Sequence, residues 1–280
     1  MTGVSSAIKW HGGKSYLAEW ILSLVPRHTH WVEVYGGGLS VTLAKDPEGT
    51  SEVVNDSYWQ LQNFWQVLQD PNLFEHFRRQ IEATPFAQFE WEAATELNRL
   101  DPDSELSPDE RVRRAVAFFI ACRQSRAGTF REYATLSRNR TRRGMNEQAS
   151  AWLTSVEGLP EVHARLKRIV ILNQPALQVI KTQDGPGTVF YLDPPYLPST
   201  RTITAVYEHE MSWIDHARLL AALSRIRGRF LLSGYQSDLY LAAEQKYGWY
   251  RHEKEIPNHA AGGDSKRIMT ECIWTNFCSA

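Results

Sequence analysis

A short polar loop, Asp193-Pro194-Pro195-Tyr196, directly follows the apolar run 189–192. A carboxylate and a proline-stiffened carbonyl can each accept one N–H of an exocyclic amine, which turns the nitrogen lone pair toward an electrophile. A flat ring such as that of Tyr196 can stack on a nucleobase held in a pocket. The loop therefore indicates a site that activates an amino group. The alternative is a proline-stiffened turn with a capping aspartate.

A glycine-rich turn at 36–38 follows a second candidate strand and lies next to Glu33 and Tyr35. Glycines let the backbone approach a ligand, and a carboxylate at a strand end can bind a hydroxylated or cationic group. Val41 stands where a dinucleotide fingerprint needs a third glycine, so another adenosine-type cofactor is favoured. Asp56 ends the next candidate strand, where such sheets place a carboxylate for ribose hydroxyls. A plain glycine turn and a helix cap by Asp56 are the alternatives.

The segment 8–15 ends in Gly13-Lys14-Ser15 and so imitates the end of a phosphate-binding loop. A true phosphate-binding loop requires a glycine where Ile8 stands, and it also requires a preceding strand. This segment has neither, which argues against a nucleoside-triphosphate-driven enzyme, and absence of ATP hydrolysis would exclude that alternative.

Charge is strongly segregated along the chain, although the formal net charge is only -1. Residues 46–110 hold 15 acidic and 3 basic side chains, a net charge of -12. Residues 111–143 hold ten arginines and one acid, Glu132, a net charge of +9. Because arginine binds phosphate and guanine edges, this block predicts a surface that binds nucleic acid. A solvated helix face that pairs with the preceding acidic stretch is the alternative.

The elements that must position these residues alternate between strand and helix at both ends of the chain, which predicts an α/β fold. Candidate strands are 31–35, 52–54, 169–172, 189–192, 230–233 and 271–277. Candidate helices are 16–25, 58–68, 85–100, 109–122, 146–156 and 214–225. Strand signals vanish between 71 and 165, which predicts a helical insert there.

The composition is that of an ordinary globular protein, with 280 residues, 42% hydrophobic and 22% charged side chains. The longest apolar stretch, 115–122, is far shorter than the ~20 residues that a membrane-spanning helix needs, and residues 1–10 do not resemble a signal peptide. Cys122, Cys272 and Cys278 form neither a disulfide framework nor a zinc motif. We expect a soluble, cytoplasmic protein with reduced thiols and no metal.

Taken in chain order, these motifs resemble the Dam-like (α-order, D12 class) DNA N6-adenine methyltransferases. In that family a lysine and glycine motif and a glycine-rich strand end bind S-adenosylmethionine, a target-recognition insert follows, and a D-P-P-Y motif comes after it. The corresponding segments here are 9–14, 33–38, 71–165 and 193–196, and the segment 270–277 resembles the family's final strand. The resemblance covers nearly the whole chain.

The resemblance implies a catalytic domain made of residues 1–70 and 166–280, with a Rossmann-like sheet of the S-adenosylmethionine-dependent methyltransferase type. Residues 71–165 would form a helical insert that recognises the DNA target. Two positions depart from the family pattern. Val34 stands where proline is usual, and Pro175 stands where an acidic residue is expected near the cofactor adenine.

The predicted site residues fall into three groups by role. The expected catalytic residues are Asp193, Pro194 and Tyr196. The expected cofactor contacts are Trp10, Lys14, Glu33, Tyr35, Gly37, Asp56, Asn173 and Asp193. The expected DNA contacts are Pro195, Tyr196, Arg126, Arg138, Arg140, Arg142, Arg143 and Asn146.

We therefore expect site-specific methyl transfer from S-adenosylmethionine to adenine N6 in double-stranded DNA, on a base flipped out of the duplex. The nearest alternative is a methyltransferase that acts on cytosine N4, RNA adenine or a protein glutamine. Asp193 favours DNA adenine, since Ser or Asn would suit those families better. An alternative of a different class is a non-catalytic DNA-binding relative. The recognised sequence, the oligomeric state, with a monomer as the simplest case, and an accompanying restriction enzyme stay open.

Overall fold

The computed structural model describes residues 3–100, 105–134, 136, 138–197, 210–257 and 268–278. The chain divides into two compact units. The first, here called the helical unit, comprises Met1–Ser23, Gly37–Glu48 and Asp56–Asn173. The second, here called the sheet unit, comprises Leu24–Gly36, Gly49–Asn55 and Gln174–Ala280. Helices and a mostly parallel sheet are both present, so the α/β class is confirmed.

Strands and helices alternate near both ends of the chain, with a run of helices between them. The strands are β1 His30–Glu33, β2 Ser51–Asn55, β3 Thr141–Arg142, β4 Met145–Asn146, β5 Ile169–Leu172, β6 Thr188–Leu192, β7 Arg229–Gly234, β8 Tyr250–Pro257 and β9 Ile268–Thr275. The helices are α1 Ala18–Ser23, α2 Ser40–Ala44, α3 Trp59–Gln69, α4 Pro71–Ala83, α5 Gln88–Asn98, α6 Pro108–Arg123, α7 Glu147–Glu157, α8 Leu159–Leu166, α9 Ala176–Gln183, α10 Trp213–Leu223 and α11 Asp238–Tyr247. None of the helices in the described ranges is long and apolar enough to cross a membrane.

The sheet unit is built around parallel strands. Its described part supplies neighbouring strands in the order β2-β1-β6-β7-β9-β8, in which only β9 runs antiparallel to the others. All five residues of β6 are buried, as expected for a central parallel strand covered on both faces. The carboxyl ends of β1, β2, β6 and β7 share one edge. Glu33, Asn55 and the 193–196 loop therefore lie at the edge where ligands bind in such sheets.

The helices of the sheet unit are fixed by specific polar contacts. Ser212 and Asp215 form a capping box at the start of α10, in which each side chain bonds to the backbone N–H of the other residue. These bonds to Ser212 lower the pKa of the Asp215 carboxyl. Nδ1 of the buried His216 lies 2.9 Å from the Tyr240 hydroxyl, which ties α10 to α11.

The core of the helical unit is rich in aromatic side chains. Phe64 on α3 stacks on Phe119 of α6, with 5.9 Å between ring centroids, and meets Phe77 of α4 edge-on at 6.0 Å. Each such pair adds roughly 0.5–1.5 kcal/mol beyond the area that it buries. The helix α6 begins at Pro108 behind the capping side chain of Ser107, whose hydroxyl accepts from the backbone of Glu110.

Most predicted elements are present, with small shifts at their ends. The strand at 169–172 has the predicted bounds, whereas β9 starts earlier than predicted and leaves residues 276–277 outside it. The strand β8 escaped prediction because its sequence, Tyr-Arg-His-Glu-Lys-Glu-Ile-Pro, is mostly polar, as is usual for an edge strand.

The expectation that no strand lies between 71 and 165 is wrong. The strands β3 and β4 pair as an antiparallel hairpin whose two-residue turn is Arg143-Gly144. Both turn residues have positive φ, 56° and 75°, which is the backbone conformation of a type I′ turn. The boundaries 1–70, 71–165 and 166–280 and the recognition role of the insert stay predictions.

Candidate active site

The loop 193–196 extends β6 beyond the carboxyl edge of the sheet. Since β6 pairs with β1 and β7 in parallel, Leu192 is the last residue held by strand neighbours, and Asp193 projects past them. Pro194 is buried, whereas Asp193 and Tyr196 are partly buried. The loop is thus anchored in the core, and Oδ1 of Asp193 and the hydroxyl of Tyr196 are themselves buried.

The ring of Tyr196 is held by two side chains of the sheet unit. Its hydroxyl donates a hydrogen bond to Oε1 of Glu271, a residue of β9 that is only 1% exposed. The ring of Tyr235 meets it edge-on, with centroids 4.8 Å apart and planes at 75°. Burial, followed by the nearby carboxylates of Asp193 and Glu271, raises the pKa of Tyr196 well above its usual value. The phenol therefore stays protonated and oriented.

Carboxylates surround a second buried phenol, that of Tyr191 on β6. Its hydroxyl lies 3.2 Å from Oγ of Ser233. Burial, then the carboxylates of Asp193, Glu33 and Glu271, raise the pKa of Tyr191 well above its usual value. This region of the sheet unit is therefore negatively charged, which favours N–H donors and cations as ligands. Nowhere in the described part of the chain do three or more His, Cys, Asp or Glu side chains converge as metal ligands would.

Two of the predicted cofactor residues of the sheet unit lie at the end of β1. Glu33 is 3% exposed and pairs in register with Val54 and Tyr191. Tyr35 follows two residues later, is partly buried, and contributes with Asp193 to raising the pKa of Tyr240, which burial raises most. Glu33 and Asp193 are thus brought to the same edge, as predicted.

Asn55, which sequence reasoning passed over, organises this edge of the sheet unit. Its amide nitrogen donates to the carbonyls of Val34 at 3.0 Å and Gln174 at 3.1 Å, and its amide oxygen accepts from the backbone N–H of Gln174 at 2.9 Å. These bonds fix the chain just before Pro175, which is the N-cap residue of α9. A buried asparagine at a strand end was the signal for this role, since such groups are normally hydrogen-bonded.

In the helical unit, both backbone polar groups of Gly37 in the glycine turn form hydrogen bonds with side chains. The N–H of Gly37 donates to Oδ2 of Asp56 at 2.9 Å, and its carbonyl accepts from Nε1 of Trp65 at 3.1 Å. Gly37 has a φ of 49°, and an added Cβ would lie 2.6 Å from Nε1 of Trp10. Trp10, Gly37 and Asp56, three of the predicted cofactor residues, are therefore brought together.

Both carboxylate oxygens of Asp56 accept hydrogen bonds from backbone N–H groups. Besides its bond to Gly37, it accepts from the N–H of Tyr58 at 3.0 Å through Oδ1. The alternative that Asp56 is the N-cap residue of α3 is therefore wrong, because Tyr58 occupies that position. Asn173 lies close by, and its side-chain amide donates to the carbonyl of Asp56 at 2.6 Å.

The N-terminal lysine and glycine motif packs inside the helical unit. Lys14 is 6% exposed, and its ammonium donates to the carbonyl of Gly12 at 3.0 Å. The carbonyl of Lys9 accepts from Sγ of Cys122 at 3.1 Å. Burial, and after it the cation of Arg123, lowers the pKa of Lys9. Trp10 completes the motif, with aromatic rings near its indole that include Tyr58, Phe118 and Phe130.

Part of the arginine block supports the interior of the helical unit. Arg114 is 9% exposed and donates to Glu110 at 2.8 Å and to the carbonyl of Leu100 at 2.6 Å. Arg123 donates to the hydroxyl of Ser155, and burial lowers its pKa. Of these two arginines only Arg114 pairs with the preceding acidic stretch, through Glu110, and neither lies on a solvated helix face.

All five arginines of the predicted DNA-contact group are exposed; Arg142 and Arg143 belong to the β3–β4 hairpin, Arg138 and Arg140 directly precede it, and Arg126 lies in an earlier turn. Arg143 forms a bidentate ion pair with Glu157, in which both N–O distances are 2.9 Å. Arg126 forms an ion pair with Glu132, at an N–O distance of 3.5 Å. A third, weaker ion pair joins Arg140 to Glu147 at 4.0 Å. Arg138 and Arg142 are exposed, and neither forms an ion pair with another described residue. Asn146 caps α7 by accepting from the N–H of Gln148.

Comparison with known protein families gives a match over most of the chain. The model of the D12 class N6 adenine-specific DNA methyltransferase family matches residues 10–257. A search of curated protein sequences found no match. The matched range contains the glycine turn, the arginine block and the 193–196 loop, in the order noted in the sequence. This chain belongs to the D12 class N6 adenine-specific DNA methyltransferase family.

Proposed function

We propose that this protein transfers the methyl group of S-adenosylmethionine to N6 of adenine in double-stranded DNA, after the adenine has flipped out of the duplex. The observation that carries the proposal is the 193–196 loop at the carboxyl end of β6, with Tyr196 held by Glu271 and Tyr235. The family is specific for DNA adenine, and the geometry of this loop suits an amine donor.

In the proposed mechanism, the carboxylate of Asp193 and the carbonyl of Pro194 each accept one N–H of the adenine amine. The nitrogen becomes pyramidal, and its lone pair faces the methyl donor. The ring of Tyr196 stacks on the base and keeps the amine within reach of these acceptors. Transfer would be direct and would form no covalent enzyme intermediate: the bond from N6 to the methyl carbon would form as the sulfur–methyl bond breaks, the thioether product would leave, and the amine would release one proton to solvent.

The residues present fit a cofactor that is cationic and carries ribose hydroxyls. The carboxylates of Glu33 and Asp193 suit a sulfonium cation, and a glycine turn whose N–H is bound by a carboxylate suits a ligand that approaches the backbone. S-adenosylmethionine supplies an electrophilic methyl group when bound. The proposed cofactor contacts are those that the resemblance implies, namely Trp10, Lys14, Glu33, Tyr35, Gly37, Asp56, Asn173 and Asp193.

Duplex DNA is the proposed partner of the exposed arginines. Arg138 and Arg142 can reach phosphate without giving up an ion pair to a described residue, whereas Arg126, Arg140 and Arg143 would exchange a carboxylate for phosphate. The proposed recognition insert is 71–165, with further contacts from Asn146, Pro195 and Tyr196. We place this activity in the cytoplasm.

The decisive variant is Asp193→Ala, assayed with methyl-labelled S-adenosylmethionine and duplex DNA. Label incorporation should fall by at least about a hundredfold, the range seen when one oriented hydrogen-bonding group at the transition state is removed, while cofactor binding, which keeps the seven other proposed contacts, should weaken much less than transfer. Asp238→Ala is the matched control, because Asp238 is exposed on α11. Full activity in Asp193→Ala would refute the mechanism.

Nucleoside analysis of the labelled product separates the remaining alternatives. N6-methyladenine in DNA supports the proposal, whereas N4-methylcytosine or label in RNA or protein identifies another exocyclic-amine methyltransferase. Tight DNA binding without any label identifies a non-catalytic relative.

A further inference from the structure

Glu271 is a buried charge for which the proposed mechanism has no role. It lies on β9, where Cys272 pairs with Gly234 of β7 and Glu271 pairs with Lys254 of β8. Only 1% of Glu271 is exposed. Glutamate is rarely buried to this extent unless its carboxylate is hydrogen-bonded. The bond that Glu271 accepts from the Tyr196 hydroxyl gives the carboxylate a specific partner.

This bond acts on a ring that is already restrained at other points. The backbone before Tyr196 is stiffened by Pro194 and Pro195, whose rings fix φ. Tyr235 meets the ring edge-on at 4.8 Å. A bond from the far end of the ring to Glu271 removes the remaining freedom of the ring to swing. A ring fixed in advance loses little entropy when a base stacks on it.

The charge of Glu271 also determines what the hydroxyl does. Together with Asp193, its carboxylate helps to raise the pKa of Tyr196, so the phenol keeps its proton. A protonated phenol beside a carboxylate donates to it. The Tyr196 hydroxyl therefore donates its hydrogen bond to Glu271, and the face of the ring remains available for stacking on the base.

We infer that Glu271 is a positioning residue for methyl transfer, which orients the Tyr196 ring on which the target adenine stacks. This inference rests on the proposed function of the 193–196 loop. Glu271 does not touch the base in this scheme and acts only through the Tyr196 hydroxyl. Its loss should therefore slow transfer without weakening the binding of S-adenosylmethionine.

A double-mutant cycle with Tyr196→Phe tests the inference. Glu271→Ala should lower kcat about 10- to 100-fold, the range expected for one hydrogen bond to a charged group. Glu271→Gln keeps an oxygen acceptor of the same size and should lower kcat by only about 5- to 10-fold. In the Tyr196→Phe background neither change should lower kcat further by more than about twofold, because the bond is already gone. The Kd of S-adenosylmethionine should be unchanged throughout.

The exposed Glu255 of β8 provides the control, and Glu255→Ala should leave kcat at the wild-type value. Thermal unfolding of each variant shows whether it folds. If Glu271→Ala does not fold, the double-mutant cycle is measured with Glu271→Gln alone. An equal loss in the Tyr196→Phe background would mean that Glu271 acts independently of that hydroxyl, which overturns the inference. Wild-type activity in Glu271→Ala overturns it as well and leaves the proposed function intact. Absence of transfer by the wild type contradicts the proposed function, and the inference with it.

Discussion

Trp10 lies where a side chain on Gly37 would be, since a Cβ at residue 37 would come within 2.6 Å of its Nε1 and 2.7 Å of its Cδ1. The glycine is thus required by an intramolecular neighbour as well as by its φ of 49°. The turn and the N-terminal motif must consequently form together. Any change that pushes the indole aside should disturb the bonds that Asp56 and Trp65 make to the same glycine.

Gly37→Ala should destabilise the protein by the sum of two effects. Positive φ costs a residue with a side chain about 1–2 kcal/mol, and displacing packed atoms adds about 1–3 kcal/mol. Gly49→Ala is the matched control, because Gly49 has a φ of 71° and a Cβ added there would meet nothing within 4 Å. The free energies of unfolding, measured with denaturant, should differ by the packing cost. Equal losses of stability in the two variants would show that the Trp10 indole can move aside at no energetic cost.

Asp56→Ala should lower both stability and cofactor affinity. The change leaves the N–H groups of Gly37 and Tyr58 without their acceptor, which costs about 1–3 kcal/mol. Asp70→Ala is the control, since Asp70 accepts from two N–H groups at the start of α4 and its loss should cost a comparable ~0.5–2 kcal/mol. Calorimetric titration with S-adenosylmethionine should show weaker binding for Asp56→Ala alone. Unchanged binding would limit Asp56 to a structural role.

The double variant Arg138→Ala, Arg142→Ala should bind duplex DNA less tightly and with a weaker dependence on salt. Each lost phosphate contact reduces the slope of log K against log salt by about 0.9. Arg79→Ala removes an exposed arginine that pairs with Glu75 on α4, and it should leave the slope unchanged. Fluorescence anisotropy over a range of salt concentrations measures both. An unchanged slope in the double variant would show that Arg138 and Arg142 do not contact the DNA phosphates.

Only one thiol should react quickly in the folded protein. Burial raises the pKa of Cys122 to about 12 and that of Cys272 to about 11, and the reactive thiolate is therefore scarce at both. Cys278 is exposed. At a pH of about 8, close to the ordinary pKa of a free thiol, a chromogenic disulfide reagent should titrate one thiol rapidly, and Cys278→Ser should abolish that phase. All three cysteines should react after denaturation, and rapid reaction of two in the native protein would contradict the burial of Cys122 and Cys272.

The fold was most predictable where the local pattern and the tertiary environment agree. The run at 189–192, Val-Phe-Tyr-Leu, is apolar with one β-branched and two aromatic residues, and it is a buried strand. The strand β8 was missed because its charges suit an edge strand, and such a strand has no apolar period of its own. The hairpin at Arg143 was missed because an arginine with positive φ has no signature in sequence.

The site was predictable where chemistry is concentrated in neighbouring residues and less so where it depends on distant ones. Asp193 and Tyr196 are close in sequence and could be recognised together. Glu271 is 75 positions beyond Tyr196, and no local pattern links them. A single charged residue, Glu271, inside the mostly apolar strand β9 was the one available signal. The contact between Trp10 and Gly37 likewise depends on packing that no periodicity encodes.

The two prolines after Asp193 have a consequence for damaged bases. Neither Pro194 nor Pro195 has an N–H, so the backbone of these two residues can accept hydrogen bonds but cannot donate them. Deamination converts adenine to hypoxanthine, whose keto oxygen takes the place of the amine and offers no proton. In the proposed pocket that oxygen would face the Asp193 carboxylate and the Pro194 carbonyl, and repulsion between acceptors would reject it. The loop would thereby distinguish an intact adenine from its deaminated form before any chemistry begins.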